Sequence, residues 1–445
     1  MQKHIIAELE VARSQNDRAI QEVSAYAGSQ SCPVRYQRTI LRGKADLAAL
    51  SRKVAVRLKM PAWSYNIYHS DEHSLYLGPV VGILSSAIRP GGYPGRSETR
   101  INKEMIRFAR RRGVFIYMFG ASGVDKRKGL IEGVTTNLNN EWMQGLFPRP
   151  DIVYNRIRKR SLEKSPAIIA LLNQFEADPD IFMFNSRFLN KWEVYQAASG
   201  VPVTSSLFPL TMSLNHGNLE VMLNNYGQVL IKPSHGSLGK GIIKIKAQSN
   251  RYYLAKSSGP TQWHKYNSID ELYTAIKDKM RVNDNSLLQR VVELCRYKGR
   301  IFDIRIQFQK DVASSWVTTG AAIRVASRGQ FVTHIPNGGR AEAYNTVIRH
   351  VFPNPAVRVG IKDQLDYICS NVPVLLEERL GLNLAIVSMD IAIDPDGKLW
   401  ILEVNSKPSH FNEPDIRRHH LQLLTDYCIH MAAEKRMKLT ERSSL

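Results

Sequence analysis

Val229-Leu230-Ile231-Lys232-Pro233-Ser234-His235-Gly236-Ser237-Leu238-Gly239-Lys240-Gly241-Ile242-Ile243-Lys244-Ile245 decides how this 445-residue chain is read. An apolar run ends in a lysine, a loop with three glycines follows, and a β-branched run closes the stretch. The pattern predicts a β-hairpin whose turn brings backbone N–H groups close to an anion, because glycine permits both the turn and the approach. Lys232 adds a point charge at the strand end. A Walker A loop is excluded: Lys240 is followed by Gly241 rather than Ser or Thr, and the flank is a strand instead of a helix. An ordinary hairpin with a glycine-rich turn has the same pattern, so the stretch needs support from elsewhere.

Support lies downstream, in Ser388-Met389-Asp390-Ile391-Ala392-Ile393-Asp394-Pro395-Asp396-Gly397-Lys398-Leu399-Trp400-Ile401-Leu402-Glu403-Val404-Asn405. Asp-Pro-Asp-Gly is a turn signal between two apolar runs and predicts an antiparallel hairpin. An even-numbered loop pairs Ile393 with Lys398 and Asp390 with Ile401, leaving Asp390 and Glu403 as diagonal neighbours on one face with Asn405. Diagonal neighbours lie about 7–8 Å apart, close enough for both carboxylates to reach one cation. Two carboxylates and an amide oxygen are hard ligands of the kind Mg²⁺ takes. An odd-numbered loop without a bulge would place the two acids on opposite faces.

Between these stretches, Leu287-Leu288-Gln289-Arg290-Val291-Val292-Glu293 reads as a short strand. Its backbone around Gln289 and Val291 could meet a base edge, and Glu293 a ribose hydroxyl. Arg305 alternates with apolar residues on a second strand, within reach of a phosphate. Asn337-Gly338-Gly339-Arg340 is a turn carrying an amide and a cation. Surface strands and an exposed turn account for these three equally well. His410, His419 and His420 show no ligand spacing.

Upstream, Asn185-Ser186 is read as the cap of a helix through Phe188, Leu189, Trp192 and Tyr195 that ends at Gly200. Tyr76 to Leu84 reads as one buried strand, Glu104 to Arg112 as a helix stopped by Gly113, and Val114–Phe119 and Pro150–Asn155 as further strands. Strand, helix and strand in this order predict a small parallel α/β domain over 75–180. It lacks Gly-x-Gly-x-x-Gly, which gives a dinucleotide role little support. Ile5, Ile6, Leu9 and Ala12 suggest a short amphipathic helix in a basic N-terminal extension, 1–74. After Gly227 the sequence reads as mostly β.

Hydrophobic residues are 43% and charged residues 23%, ordinary for a globular chain. Cys32, Cys295, Cys369 and Cys428 form no Cys-x-x-Cys pair, which points to a reducing, cytoplasmic setting. The longest uncharged apolar stretch, Ser74 to Ile88, is shorter than the roughly 20 residues of a membrane span. Lys and Arg number 61 against 40 Asp and Glu, formally +21, an excess that favours acidic partners. Basic clusters at Arg107-Arg110-Arg111-Arg112, Lys126-Arg127-Lys128 and Arg156-Arg158-Lys159-Arg160 stand beside no specific nucleic-acid motif.

In order, Lys191, Lys232, the glycine loop, Glu293, Arg305, Asp390, Glu403 and Asn405 resemble the ATP-grasp superfamily from Phe184 to the C-terminal helix. Within it, Leu77–Leu84, Pro148–Ile157, Phe184-Asn185 with Lys191, and Lys232–Ile242 resemble the YheC/YheD family of endospore-coat-associated proteins. The resemblance implies an α/β (α+β) ATP-grasp fold over 181–437 behind an N-terminal parallel α/β pre-ATP-grasp domain. It implies ATP and Mg²⁺ as cofactors. Lys191, Lys232, Ser234, Gly236, Ser237, Gly239, Lys240, Gly241, Gln289, Val291 and Glu293 would hold the nucleotide, and Asp390, Glu403 and Asn405 the metal. Arg305, Asn337 and Lys232 would act on the reacting phosphate. The implied reaction is carboxylate–amine ligation through an acylphosphate, with unidentified carboxylate and amine substrates of acidic character. Two alternatives stay open: a spore-coat assembly protein that binds nucleotide with little turnover, and a kinase-like transfer on the same scaffold.

Overall fold

A computed structural model describes the chain except for residues 1–4, 12–20, 37–46, 89–91, 126–128, 237–240, 258–260, 280–281, 283–284, 334–337 and 444–445. The chain divides into two compact units. One comprises Met1–Arg187, Lys310–Ser315 and Phe411–Leu445; the other comprises Phe188–Gln309 and Trp316–His410.

In the first unit, the strands Ile5–Val11, Gln30–Tyr36, Gln21–Ala27, Ser74–Gly78, Ser64–Ser70 and Leu47–Leu50 close a barrel in that order. The N-terminal helix expected at Ile5–Ala12 is therefore a strand over Ile5–Val11. Ile5, Ala7, Leu9 and Val11 also repeat at period two, and pairing with Leu47–Leu50 and Gln30–Tyr36 selects that period. The second sheet runs Trp142–Pro148, Leu130–Thr136, Phe115–Phe119, Val80–Leu84, Ile152–Asn155, Phe182–Phe184. Its last four strands are parallel, the α/β arrangement expected of this region. The single strand expected over Tyr76–Leu84 is two: Ser74–Gly78 belongs to the barrel and Val80–Leu84 to the sheet. Gly78, at φ +122°, makes the break.

The helix Arg96–Arg110 precedes Phe115–Phe119, and Gly113 sits between them at φ +72°. A Cβ there would lie 2.2 Å from the Asn66 backbone nitrogen, so the close approach of the two segments requires glycine. Asp151 is buried beneath this sheet, accepting from Val80 N–H at 2.8 Å and from the Tyr68 hydroxyl at 3.1 Å. Burial pushes its carboxyl up to about 6, against the pull of the Val80 amide and Arg436.

The second unit contains two antiparallel sheets. One has the order Thr211–Ser213, Ser286–Arg290, Gln228–Pro233, Ile243–Gln248, Arg251–Lys256, His264–Tyr266. The other has Arg340–Ala343, Trp316–Val325, Arg300–Lys310, Ile386–Ile393, Leu399–Asn405. Each buries one apolar face: Leu219, Met222 and Leu223 cover the first, and Ile361, Leu365, Ile368, Val372 and Leu376 the second. The latter five lie on a helix over Pro355–Leu380, in a region expected to be β. Their spacing is helical, and Pro373 inside the helix masked it. The expected helix after Phe184 starts later, at Lys191. Asn190 caps it, accepting from Trp192 N–H at 2.8 Å while Glu193 accepts from Asn190 N–H at 2.5 Å. Asn185 takes φ +52° and does not cap.

Candidate nucleotide site

The glycine stretch forms the expected hairpin: Gln228–Pro233 pairs antiparallel with Ile243–Gln248, with Ile231 opposite Ile243. Gly241 has φ +73°, as such a turn requires. Lys232 ends the first strand as a buried residue, and its Nζ donates to Gln289 Oε1 at 2.5 Å. Gln289 in turn donates to Thr211 Oγ1 at 3.1 Å. Burial, with Lys191 nearby, pushes the Lys232 ammonium down to about 8, although Glu403, Asp390 and Asp303 pull the other way.

The Asp390–Glu403 hairpin differs from expectation in register, because its loop is odd-numbered. Ile393 pairs with Leu399 and Ile391 with Ile401; a bulge then passes Leu402, so that Asp390 pairs directly with Glu403 and Ser388 with Asn405. The two acids are direct cross-strand partners rather than diagonal ones. The bulge restores the common face that an odd loop would have destroyed.

Arg305 is the opposite neighbour of Asp390, giving the row Arg305, Asp390, Glu403 across three strands. Arg305 Nη1 donates to Asp390 Oδ1 at 2.5 Å, and Arg324 Nη2 lies 2.8 Å from Asp390 Oδ2. Arg324 also binds Asp303, through Nε at 2.9 Å and Nη2 at 2.6 Å, and Thr333 donates to Asp303 Oδ2 at 2.6 Å. Burial alone would raise the Asp390 carboxyl, but the Arg324 and Arg305 guanidiniums hold it far below the usual carboxylate range. Arg324 is correspondingly held cationic: its burial is outweighed by Asp303 and Asp390. Lys191 Nζ donates to Glu403 Oε1 at 3.1 Å and to the Gly236 carbonyl at 2.5 Å, linking the acidic pair to the glycine loop.

A cavity of 740 Å³ opens over this network. Lys191, Lys232, Gly236, Gln289, Val291, Glu293, Asp303, Thr333, Asp390 and Glu403 are among its lining residues. Ser234 is buried next to it, its carbonyl accepting from the Lys191 N–H at 3.3 Å. Glu293 is exposed at the margin. Arg305 and Asn405 are not among the described lining residues; Arg305 acts on the site through Asp390. Ser237, Gly239, Lys240 and Asn337 lie outside the described residues. Among the described residues no group of three His, Cys, Asp or Glu side chains is placed to hold a metal ion. Asp390 and Glu403 offer hard oxygen donors of the kind Mg²⁺ takes, beside the cavity; both Asp390 oxygens are engaged by Arg305 and Arg324.

Residues 180–431 match the family described as YheC/D like ATP-grasp. The chain belongs to this ATP-grasp family. It is 25% identical over 401 residues to the endospore coat-associated protein YheD of Bacillus subtilis (strain 168), covering 88% of this chain and 86% of YheD. To YheC of the same organism, also named endospore coat-associated, it is 23% identical over 278 residues, 61% of this chain and 74% of YheC. The D-alanyl-alanine synthetase A structure from Vibrio cholerae O1 biovar eltor str. N16961 aligns with TM-score 0.44 and 12% identity, covering 81% of this chain and 99% of that one. No helix among the described residues is long and apolar enough to cross a membrane.

Two residues of this charge network, Asp303 and Arg324, are not singled out by the sequence pattern. Asp303 and Arg305 occupy one face of the same strand. Arg324 reads as an isolated cation in Ala322-Ile323-Arg324-Val325. A charged residue inside an apolar strand run was the available signal, since burying it requires a partner.

Proposed function

We propose that this protein is a Mg-ATP-dependent carboxylate–amine ligase working through an acylphosphate. The observation that carries the reading is the row Arg305, Asp390, Glu403 on one sheet, tied through Lys191 to the glycine loop, with Asp390 and Glu403 sharing a cavity with buried Lys232. That arrangement gathers cations and ionised acids around one polar volume, as phosphoryl transfer requires.

In this reading Lys191 and Lys232 neutralise phosphate oxygens. The loop from Ser234 through Gly236, Ser237, Gly239, Lys240 and Gly241 covers them with backbone N–H groups. Gln289 and Val291 border the base and Glu293 takes the ribose. Asp390, Glu403 and Asn405 would hold Mg²⁺, which supplies charge neutralisation on the phosphates when bound. A substrate carboxylate oxygen bonds to the γ-phosphorus as the bond to ADP breaks. An amine nitrogen then bonds to the acyl carbon, phosphate departs and the amine loses a proton. Arg305, held by Asp390, and Asn337 orient the transferred group; alignment does most of the work, so no side-chain nucleophile is required.

The names of YheD and YheC extend the proposal to endospore-coat components as acceptors. They also favour a second reading, a coat-assembly protein that binds nucleotide without turnover. Mg-dependent ADP formation, with and without a metabolite extract from sporulating cells, separates the two in wild type and Glu403→Gln. Extract-dependent ADP that vanishes in the variant, with a new amide by mass spectrometry, supports the ligase. Bound ATP without ADP under either condition supports the assembly protein.

A further inference from the structure

The cavity has a second concentration of charge that the ligase reading does not use. Lys244, Lys246, Arg290 and Arg296 line it together with Tyr226 and Trp263. The placement of the two lysines follows from strand register. Lys244 stands opposite Leu230 and Lys246 opposite Gln228, while Lys232 ends that strand. At roughly 3.3 Å per residue, these positions are about 7 and 13 Å along the strand from Lys232. Arg290, on the neighbouring strand, pairs with the core residue Val229 and so belongs to the alternate face of the sheet; it is nevertheless among the residues that line the cavity.

Two of these cations are held against rings. Lys246 Nζ lies 4.4 Å from the Trp263 ring centroid, and the Arg290 guanidinium lies 5.0 Å from that of Tyr226. Arg296 donates to the Gly299 carbonyl at 3.1 Å. Among the described residues none of the four forms an ion pair with a carboxylate. The Asp390–Glu403 end behaves differently, since every cation described there has an acid or amide partner. Partial burial, and then the nearby charges of Lys246 and Arg296, push the Lys244 ammonium down. Gathering four cations around one cavity is unfavourable within the chain, and an anion seated among them offsets it. The aromatic faces fix two of the heads in place, so less side-chain freedom is lost on binding.

We propose that Lys244, Lys246, Arg290 and Arg296, with Trp263 and Tyr226, form an anion subsite separate from the Lys191–Lys232 end, taking a ligand with clustered phosphate or carboxylate groups. The site stands on this geometry; its position beyond the nucleoside rests on the nucleotide reading. The ligand is either a separate polyanion or an anionic extension of the nucleotide itself.

The test uses the full chain, with inorganic tripolyphosphate as probe in titration calorimetry. The cavity is first saturated with Mg²⁺ and a non-hydrolysable ATP analogue. The expected result is a second, salt-sensitive binding event that weakens at least tenfold in Lys246→Gln/Arg290→Gln, while analogue affinity changes less than twofold. Should the analogue fail to bind, the ligase reading falls, and the subsite is measured alone in a Lys232→Met background. Tripolyphosphate binding there that depends on Lys246 and Arg290 sustains it. A short oligoglutamate in place of tripolyphosphate distinguishes carboxylate from phosphate ligands. No second event with the nucleotide end filled, or equal affinity in wild type and the double variant, overturns the proposal. Loss of analogue affinity equal to loss of probe affinity also overturns it, because the shelf would then be part of the nucleotide site.

Discussion

Replacing Arg324 with methionine tests the charge network most severely. The guanidinium bridges two buried carboxylates, at 2.6 and 2.9 Å to Asp303 and 2.8 Å to Asp390. Its removal leaves Asp303 with the Thr333 hydroxyl and Asp390 with Arg305 at 2.5 Å. Breaking a buried pair costs about 3–5 kcal/mol, and the surviving partners set the expectation near the lower end, about 3 kcal/mol at pH 7. The pH dependence has a definite sign. In wild type the Asp390 carboxyl is held below its ordinary 3.8, so it contributes stability above about pH 4 that is lost as the pH falls toward the folded value. In Arg324→Met the carboxyl stays buried with one guanidinium fewer, and its pKa moves up. The deficit is therefore largest at pH 7 and shrinks as the pH approaches 4. Hydrogen exchange of the Arg300–Lys310 and Trp316–Val325 amides reads this unit locally, so unfolding of the other unit does not enter. A deficit under about 1 kcal/mol at pH 7, or one unchanged between pH 7 and pH 4.5, refutes the reasoning.

Two further outcomes follow from the buried groups. Lys232, at about 8, is charged at neutral pH, so affinity for an ATP analogue holds from pH 6 to 7.5 and falls above pH 8, an effect that calorimetry finds missing in Lys232→Met. Asp151, raised to about 6, favours its protonated form in the folded state; its contribution is full below about pH 4 and is lost as pH rises through 6. Amide exchange in the Val80–Leu84 strand should therefore slow from pH 7 to pH 5 after correction for intrinsic rates, by about 1.3 kcal/mol of protection, and Asp151→Asn should abolish the slope.

Local pattern carried the sequence reading wherever two adjacent runs define a structure between them. The glycine hairpin is such a case, with Lys232 at a strand end and Gly241 at positive φ. Asp390 and Glu403 share a face by a different route from the even loop that the pattern suggests: a five-residue turn and a bulge at Leu402 reach the same result. Bulges leave no fixed sequence mark. The Arg324–Asp303 pair was illegible because its partners lie 21 positions apart on neighbouring strands, and single-strand pattern carries no cross-strand register. At the N-terminus Ile5 and Leu9 satisfy both helical and strand periods, and only pairing within the barrel decides. Pro373 hid a 26-residue helix whose apolar face is otherwise regular.

The central claim is that the second unit binds Mg-ATP between Lys232 and the Asp390–Glu403 pair. Calorimetric titration of Mg-ATP into folded wild type and folded Lys232→Met tests it directly, since methionine fills a similar volume and removes the buried charge. A charge-assisted hydrogen bond is worth about 1.5–3 kcal/mol, so the variant should bind about 10- to 150-fold more weakly. The account predicts one site per chain, dependence on Mg²⁺ and that loss. No binding by folded wild type, or equal affinity in the two proteins, would contradict it.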